Sequence, residues 1–459
     1  MRKAILLLLI FFTSFSVKTF SQDTNTYCNC FLPLDTLVFQ VVPLTLGPDS
    51  ATPPYYYNGN NSSQPVKLPF KFCFYGKNYD TIYIGTKGNV SFIKPIRGFK
   101  TGNLPAGADT AMIAPFWANI DTRPILIRPP GDICAVYLLK TATHIIIQWS
   151  SVGYSTPDDD LYDSFQLTLT NGSDSILPGG NNVSFCYQPN GLGWVSADSS
   201  GGSMGFGGIP CMIGINKGDK ISYAQMGRFS LPGNGFYGPT SSLNGLNWLS
   251  GKSLTFNTCV TDKNIGPVTV NDEKCDTIEV CQFDTAAYAV HFLCAEQGQK
   301  AVITASSPTI SGITVDTSSS STSIYSATLK IPTNSSVRGN NVINIKATDN
   351  SVPPQATTYP IVVIVDVCTG INEVNQPNTA FSIYPNANNG IFTVKIANSY
   401  LPIDNTEFKI YDVLGKEIYS APVNAIETQI NLSNQAKGMY FIKLLKNNAD
   451  LGSQKVLIQ

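Results

Sequence analysis

Side chains able to do chemistry are few and scattered in this sequence. His144 and His291 are the two imidazoles that could activate a serine or cysteine nucleophile. His144 adjoins the apolar run 145–149 (IIIQW) and His291 stands between Val290 and Phe292, so both read as strand residues, packed or at the surface. The sequence has no His-Glu-x-x-His helix. Paired carboxylates can hydrolyse glycosides, yet no two acids stand out from the loop background. The densest polar feature is 158–163 (DDDLYD), where Asp158, Asp160 and Asp163 could offer oxygens to calcium. That run lacks the glycine and closing glutamate of an EF-hand loop, and a solvated loop between strands is the plainer reading. Tyr55, Tyr56 and Tyr57, with the segment 234–237 (NGFY), could stack on sugar faces; local packing at turns is the alternative. The expectation is no catalytic residue, no cofactor and no metal.

The elements that would carry these residues are strands. Only 13% of the 459 residues are charged, while glycine, asparagine, serine, threonine and aromatics abound. That mix suits extended segments joined by turns. At this length several domains are expected. Residues 67–75 (KLPFKFCFY) alternate and set Leu68, Phe70, Phe72 and Phe74 on one face; 81–84 and 90–92 read as a pair joined by the turn 85–89. A second pair is expected at 136–139 and 145–149, and 165–169 (FQLTL) alternates again. Farther on, 301–304, 310–315, 323–331, 341–347 and 359–367 supply five strands in about 100 residues, as a β-sandwich requires. The polar stretch 369–379 (TGINEVNQPNT) reads as a linker before a final block without cysteine.

The chain begins with an address. Arg2 and Lys3 precede a nine-residue apolar run, 4–12 (AILLLLIFF), too short to span a bilayer as a helix. Thr19 and Ser21 sit at −3 and −1 of a cut between Ser21 and Gln22, so 1–21 reads as a signal peptide. No later run reaches the ~20 apolar residues of a transmembrane helix. Losing Arg2, Lys3 and Lys18 takes the net charge from −1 to −4, which leaves no basic face for nucleic acid. All eleven cysteines follow the cut: Cys28, Cys30, Cys73, Cys134, Cys186, Cys211, Cys259, Cys275, Cys281, Cys294 and Cys368. In an oxidising compartment disulfides are expected, with at least one thiol left over. Cys28 and Cys30 are too close for an easy mutual bridge, so each is expected to pair elsewhere; the spacing specifies no connectivity. Two histidines among scattered cysteines make a poor zinc set.

Two family resemblances follow from particular residues. Residues 72–76 (FCFYG), Tyr79, 82–84 (IYI), 88–92 (GNVSF), 113–121 (IAPFWANID), 165–169, 185–187 (FCY) and 212–219 (MIGINKGD) resemble a nidogen-type extracellular domain, in order, over roughly 30–258. The sequence departs from that family at Asn119, where an acidic residue is usual, and in a Gly/Ser insertion around 198–208. The resemblance implies an adhesion or matrix-contact module. Residues 347–354 (ATDNSVPP) resemble the end of immunoglobulin- or cadherin-like repeats, a likeness of architecture only. The last block resembles a type IX secretion sorting domain through Tyr384, Pro385 and Asn386, then Gly390, 410–418 (IYDVLGKEI) with Gly415, Gly438, Tyr440 and Lys455. Ala387 departs from the second proline common there.

The expected fold is all-β and multidomain. It divides into a signal peptide at 1–21, a nidogen-like β-rich domain at 22–258, an Ig/cadherin-like β-sandwich at 259–368, a linker at 369–379 and a small antiparallel sorting domain at 380–459. The expected protein is non-enzymatic, secreted or on the outer cell surface by way of the periplasm. Type IX secretion machinery is its partner through the C-terminal domain, and a matrix protein or glycan is its partner outside. A carbohydrate-binding protein or polysaccharide-acting enzyme, and a structural matrix component, are the competing readings.

Overall fold

A computed structural model describes residues 30–35, 37–44, 61–99, 103–104, 110–122, 134–154, 161–196, 202–261, 263–271, 276–319, 322–367, 380–397, 404–447 and 449–459. The protein is all-β; among these residues the helical content is one 3-10 turn, Leu246–Leu249. The chain divides into two compact units, 1–368 and 369–459.

In the first unit, alternation does what the sequence indicates. Leu68, Phe72 and Phe74 are buried from one face of strand Val66–Phe74, with Phe70 half-buried against the same core. This strand edges a sheet ordered Val66–Phe74, Lys77–Gly85, Asn89–Ser91, Met112–Trp117, Cys211–Asn216, Tyr223–Leu231 and Asn244–Gly245. Met112–Trp117 is buried along its whole length, because Ile113 and Phe116 face the main core while Met112, Ala114 and Trp117 join a smaller cluster behind it. Pro115 has no amide to donate, and the ladder bulges there: Ala114 pairs with Gly214, yet Trp117 pairs with Met212.

A longer sheet packs against this one. It runs Gln40–Val41, Ala135–Lys140, His144–Tyr154, Asp163–Thr170, Val183–Leu192, Ser253–Phe256, Val268–Asn271, Thr285–Leu293, Ile324–Pro332 and Thr314–Ser319. An aromatic stack fills the space beneath it: Trp149 on Phe165 at 5.0 Å, Phe165 on Phe116 at 5.1 Å, and Phe116 edge-on to Trp194 at 5.7 Å. The sheet continues past residue 258, since Ser253–Phe256 pairs with Val268–Asn271. The later strands have a core of their own, closed by the sheet Thr277–Cys281, Ala356–Asp366, Gly339–Asp349 and Ala301–Ser306. One expected strand moves: 310–313 is irregular and the strand is Thr314–Ser319, because Gly312 turns the chain at φ +76°.

Disulfides Cys30–Cys186 and Cys73–Cys259 span 156 and 186 residues. Cys281 is also disulfide-bonded, and Cys211 and Cys294 are buried thiols. Cys28, Cys275 and Cys368 lie outside the described residues, as do Ser21 and Gln22, the linker 369–379, Tyr55–57 and Asp158–160.

The second unit is a small antiparallel sandwich. Phe381–Tyr384, Ile391–Ile396 and Glu427–Asn431 form one sheet; Glu417–Pro422, Thr406–Tyr411, Gly438–Lys446 and Ala449–Ile458 form the other. Phe392, Val394, Ile396, Phe408, Ile410, Ile442 and Leu444 fill the space between them.

Candidate functional site

The motif residues of the second unit gather mainly around its terminal strand. Beyond Tyr384 the chain leaves its sheet and crosses to Ala449–Ile458. There the Asn386 Nδ2 donates to the Lys455 carbonyl at 2.8 Å, and the Asn386 Oδ1 accepts from the Leu457 amide at 2.9 Å. Asn388 continues the contact through its backbone: its amide donates to the Leu457 carbonyl (2.9 Å) and its carbonyl accepts from the Gln459 amide (2.8 Å). The Asn388 side chain braces the bend, accepting from the Gly390 amide at 2.7 Å and donating to the Pro385 carbonyl at 3.1 Å. Gly390 is at φ +95°, and a Cβ there would come within 2.6 Å of the Ser433 Cα, so no side chain fits. Tyr384, Pro385, Asn386, Gly390 and the backbone of Lys455 are thus brought together. Asn388 was missed in the sequence, although Asn-Asn-Gly is a turn signal.

Gly415, Gly438 and Tyr440 serve elsewhere in the sandwich. Gly415 turns at φ +81° in a loop where the Asp412 carboxylate accepts from the Leu414 and Lys416 amides, each at 2.9 Å. Gly438 opens its strand, and the buried Tyr440 donates its hydroxyl to the Ala436 carbonyl at 2.6 Å. On the outer face Met439 lies opposite Leu457, and Phe441 opposite Lys455 and Tyr411; Met439, Phe441 and Leu457 are exposed.

In the first unit, the segment 113–121 is scaffold rather than surface. The Phe116 amide donates to the Gly88 carbonyl at 3.4 Å and the Ala118 amide to the Lys87 carbonyl at 3.2 Å. A Cβ on Gly88, at φ +74°, would sit 1.9 Å from the Phe116 carbonyl oxygen. Lys87 itself is buried and donates its Nζ to the Asn119 Oδ1 (2.7 Å) and the Ile120 carbonyl (2.8 Å). Trp149 donates its indole N–H to the Gly85 carbonyl at 3.2 Å, closing the other side of the turn.

Two stretches of the chain match known families. Residues 42–228 match the family described as NIDO related, and residues 382–459 match the secretion system C-terminal sorting domain. This chain carries a nidogen-related domain and a type IX sorting domain. Human alpha-tectorin is 24% identical over 226 residues, covering 43% of this chain and 10% of its own. Mouse alpha-tectorin is 27% identical over 195 residues (38% and 8%), and Drosophila melanogaster nidogen 25% over 198 residues (39% and 14%). The chain therefore spans about a tenth of the length of these relatives. The sorting domain directs the protein through type IX secretion to the cell surface or the extracellular space.

Within the nidogen-related domain, the titratable groups form braces. The His144 Nδ1 lies 2.6 Å from the Asp174 Oδ2, and the Thr143 hydroxyl donates to the same oxygen. Burial pushes the Asp174 carboxyl up, but hydrogen bonds from Thr143, the Ile176 amide and His144 outweigh it and hold the group at about 2. The hydroxyl is spent on the carboxylate and not on the imidazole, so the order of contacts is not that of a nucleophile, base and orienting acid. In the following strands, the His291 Nδ1 lies 2.7 Å from the Ser326 Oγ, a cross-strand pair on one sheet.

The one described aspartate of the acidic run, Asp163, is also a brace. Asp163 is buried, and its Oδ1 accepts from the Gly193 amide at 2.7 Å and the Trp194 amide at 3.3 Å. Burial raises its pKa well above the ordinary carboxylate range despite those amides. Burial, then the nearby Asp163 carboxyl, raises the Cys211 thiol as well. Among the described residues no group of three His, Cys, Asp or Glu could hold a metal ion. Of the aromatics at 234–237, Phe236 stacks on Trp248 at 4.2 Å, and Tyr237 lies over Gly235 with 64% of its surface exposed.

Proposed function

We propose that the exported protein is a non-enzymatic interaction protein, whose nidogen-related domain contacts a matrix protein or glycan outside the cell. The observation that carries this reading is the union, on one chain, of a nidogen-related domain with a type IX sorting domain. The residues that mark the nidogen-related domain are mostly buried scaffold, so in this reading the contact surface lies in loops and strand edges around it. Residues 22–258 and 259–368 act together in this reading, because one sheet runs through both. Residues 380–459 engage the secretion machinery. The Asn386 and Asn388 contacts hold the terminal strand in register and so set the outward row of Met439, Phe441, Lys455 and Leu457.

Protein purified from culture medium should capture matrix proteins or glycans from an immobilised panel. Capture of none, together with hydrolysis of a polysaccharide, would defeat this reading. Deleting 369–459 should trap the remainder in the periplasm; undiminished surface display would remove the sorting role.

A second reading, glycan binding, is favoured by Tyr237. Its ring is backed by Gly235, where an added Cβ would meet it at 2.7 Å, and its other surface is open to solvent. Such a platform suits the apolar face of a sugar. Tyr237→Ala should abolish binding to a glycan array while leaving the melting temperature unchanged.

A further inference from the structure

Asparagine followed by glycine is a peptide step open to self-modification, because glycine has no Cβ to bar its amide from the asparagine carboxamide. The chain holds six such steps, at Asn58, Asn171, Asn190, Asn234, Asn244 and Asn389; Asn58 lies outside the described residues. The fold ties up three of the other glycine amides. The Gly172 amide donates to the Thr170 Oγ1 at 3.0 Å, the Gly245 amide to the Gly235 carbonyl at 2.7 Å and the Gly390 amide to the Asn388 Oδ1 at 2.7 Å. The Asn244 carboxamide is itself held at both ends, by the Tyr237 amide at 2.7 Å and the Gly238 carbonyl at 2.8 Å. Gly191 is buried behind the exposed Asn190, which keeps water from its amide. Asn234 differs from all of these. It is exposed, Gly235 is half-buried, and among the described residues neither the Asn234 side chain nor the Gly235 amide has a hydrogen-bond partner. The Gly233 carbonyl accepts from the Asn247 amide at 3.0 Å and the Gly235 carbonyl from Gly245, so the loop is anchored around reacting atoms that stay free.

We propose that Asn234–Gly235 is a site of spontaneous deamidation in the secreted protein. The Gly235 amide gives its proton to hydroxide and its nitrogen attacks the Asn234 Cγ. The N–Cγ bond forms, the Cγ–Nδ2 bond breaks, and Nδ2 takes a proton from water and departs as ammonia. Water then opens the five-membered imide, at the Cγ carbonyl to give aspartate or at the backbone carbonyl to give isoaspartate. In sum, asparagine plus water gives a carboxylate plus ammonium, with no oxidant or reductant involved. Ring closure joins groups on neighbouring residues, so no second molecule has to be brought to the carboxamide. Either product puts a negative charge on the loop that displays Tyr237, and isoaspartate also lengthens the main chain there by a methylene. The modification is independent of what Tyr237 binds.

The test is tryptic peptide mass spectrometry on natively folded protein from culture medium, aged over weeks. Trypsin cuts after Arg228 and Lys252 and releases 229–252 whole, so Asn234 and Asn244 are compared within one peptide. Fragment ions should place a gain of about 1 Da on Asn234, in two isomers of different retention. The gain should come about tenfold faster at pH 8 than at pH 7, because the ionised fraction of so weak an acid as the amide follows hydroxide. Asn171, Asn190, Asn244 and Asn389 should lag by about tenfold or more, since each must first open locally. In the reduced, unfolded chain all five should gain mass at similar rates, and Asn234→Gln should show no gain at that position over the same time. Gain at Asn244 as fast as at Asn234 in the folded protein would overturn the proposal. So would a lead for Asn234 that persists unchanged in the unfolded chain.

Discussion

Asn388→Ala is the substitution that best separates a structural clamp from a merely exposed recognition motif. Asn388 is 8% exposed, and its side chain bonds the buried Gly390 amide at 2.7 Å and the Pro385 carbonyl at 3.1 Å. Truncation removes both bonds and leaves the Gly390 N–H without its acceptor. A net hydrogen bond contributes about 1 kcal/mol and an orphaned buried donor costs about 1–3 kcal/mol, so the loss is about 2–3 kcal/mol. Asn386→Ala also removes two bonds, to the Lys455 carbonyl and from the Leu457 amide, but these are exposed and water replaces them. Its cost is about 1 kcal/mol or less. In a domain of this size each kcal/mol moves the melting temperature by about 4–8 °C, which predicts a drop of about 10 °C or more for Asn388→Ala and about half that for Asn386→Ala. Calorimetry on the 369–459 unit measures both. If Asn386→Ala equals or exceeds Asn388→Ala, or neither moves the transition, the clamp reasoning is wrong. Loss of export by Asn386→Ala without loss of stability would mean that the machinery reads that side chain directly.

Three further outcomes follow from the first unit. Glu296 is pushed up to about 8, first by burial and then by Asp349, although the Ile265 amide bonds its Oε1 at 3.1 Å. A carboxyl raised on folding contributes stability that is complete below the unfolded value of about 4.3 and is lost as pH rises toward 8. Glu296→Gln should therefore melt higher than wild type at pH 8 and converge with it at pH 4; a constant offset would refute the assignment. Gly88→Ala should prevent accumulation of secreted protein, because its Cβ would lie 1.9 Å from the Phe116 carbonyl oxygen in a strand buried on both faces, and normal yield in the medium would contradict that. The paired change Cys73→Ser with Cys259→Ser should cost about 2–5 kcal/mol and lower the denaturant midpoint of the full chain, whereas an unchanged midpoint would show the bridge to be incidental.

How much of this was legible in the sequence depends on the range of the interaction concerned. Strands 67–75, 323–331 and 359–367 were legible because alternation is a local consequence of the pleat, and Phe72, Leu329 and Ile361 are buried where the pattern puts them. The motif glycines were legible for the same reason, since Gly390 and Gly415 need left-handed backbone in their own turns. The passage of one sheet through residue 258 was not. Ser253–Phe256 and Val268–Asn271 are four residues each, too short to declare a partner by periodicity. Nor was the pairing of Cys30 with Cys186, which spans 156 residues and depends on which strands end side by side.

Asp163 shows most clearly why local composition misleads about a site. In the sequence it closes an acidic run that reads as solvated. In the fold it is the first residue of Asp163–Thr170, turned inward to receive the amides of Gly193 and Trp194. Burial of an unpaired carboxylate is costly, so its elevated pKa is the energetic mark of a group retained to hold the Gly193–Trp194 backbone beneath the aromatic stack. Residues 113–121 are scaffold too, with Ile113, Phe116 and Ile120 in the main core. What identifies the nidogen-related domain is largely the machinery that makes two sheets meet, and most of that machinery is sealed from solvent. In the proposed reading, specificity resides in what the scaffold displays, such as Tyr237 beside Gly235, while the residues that reveal the family supply the scaffold that carries it.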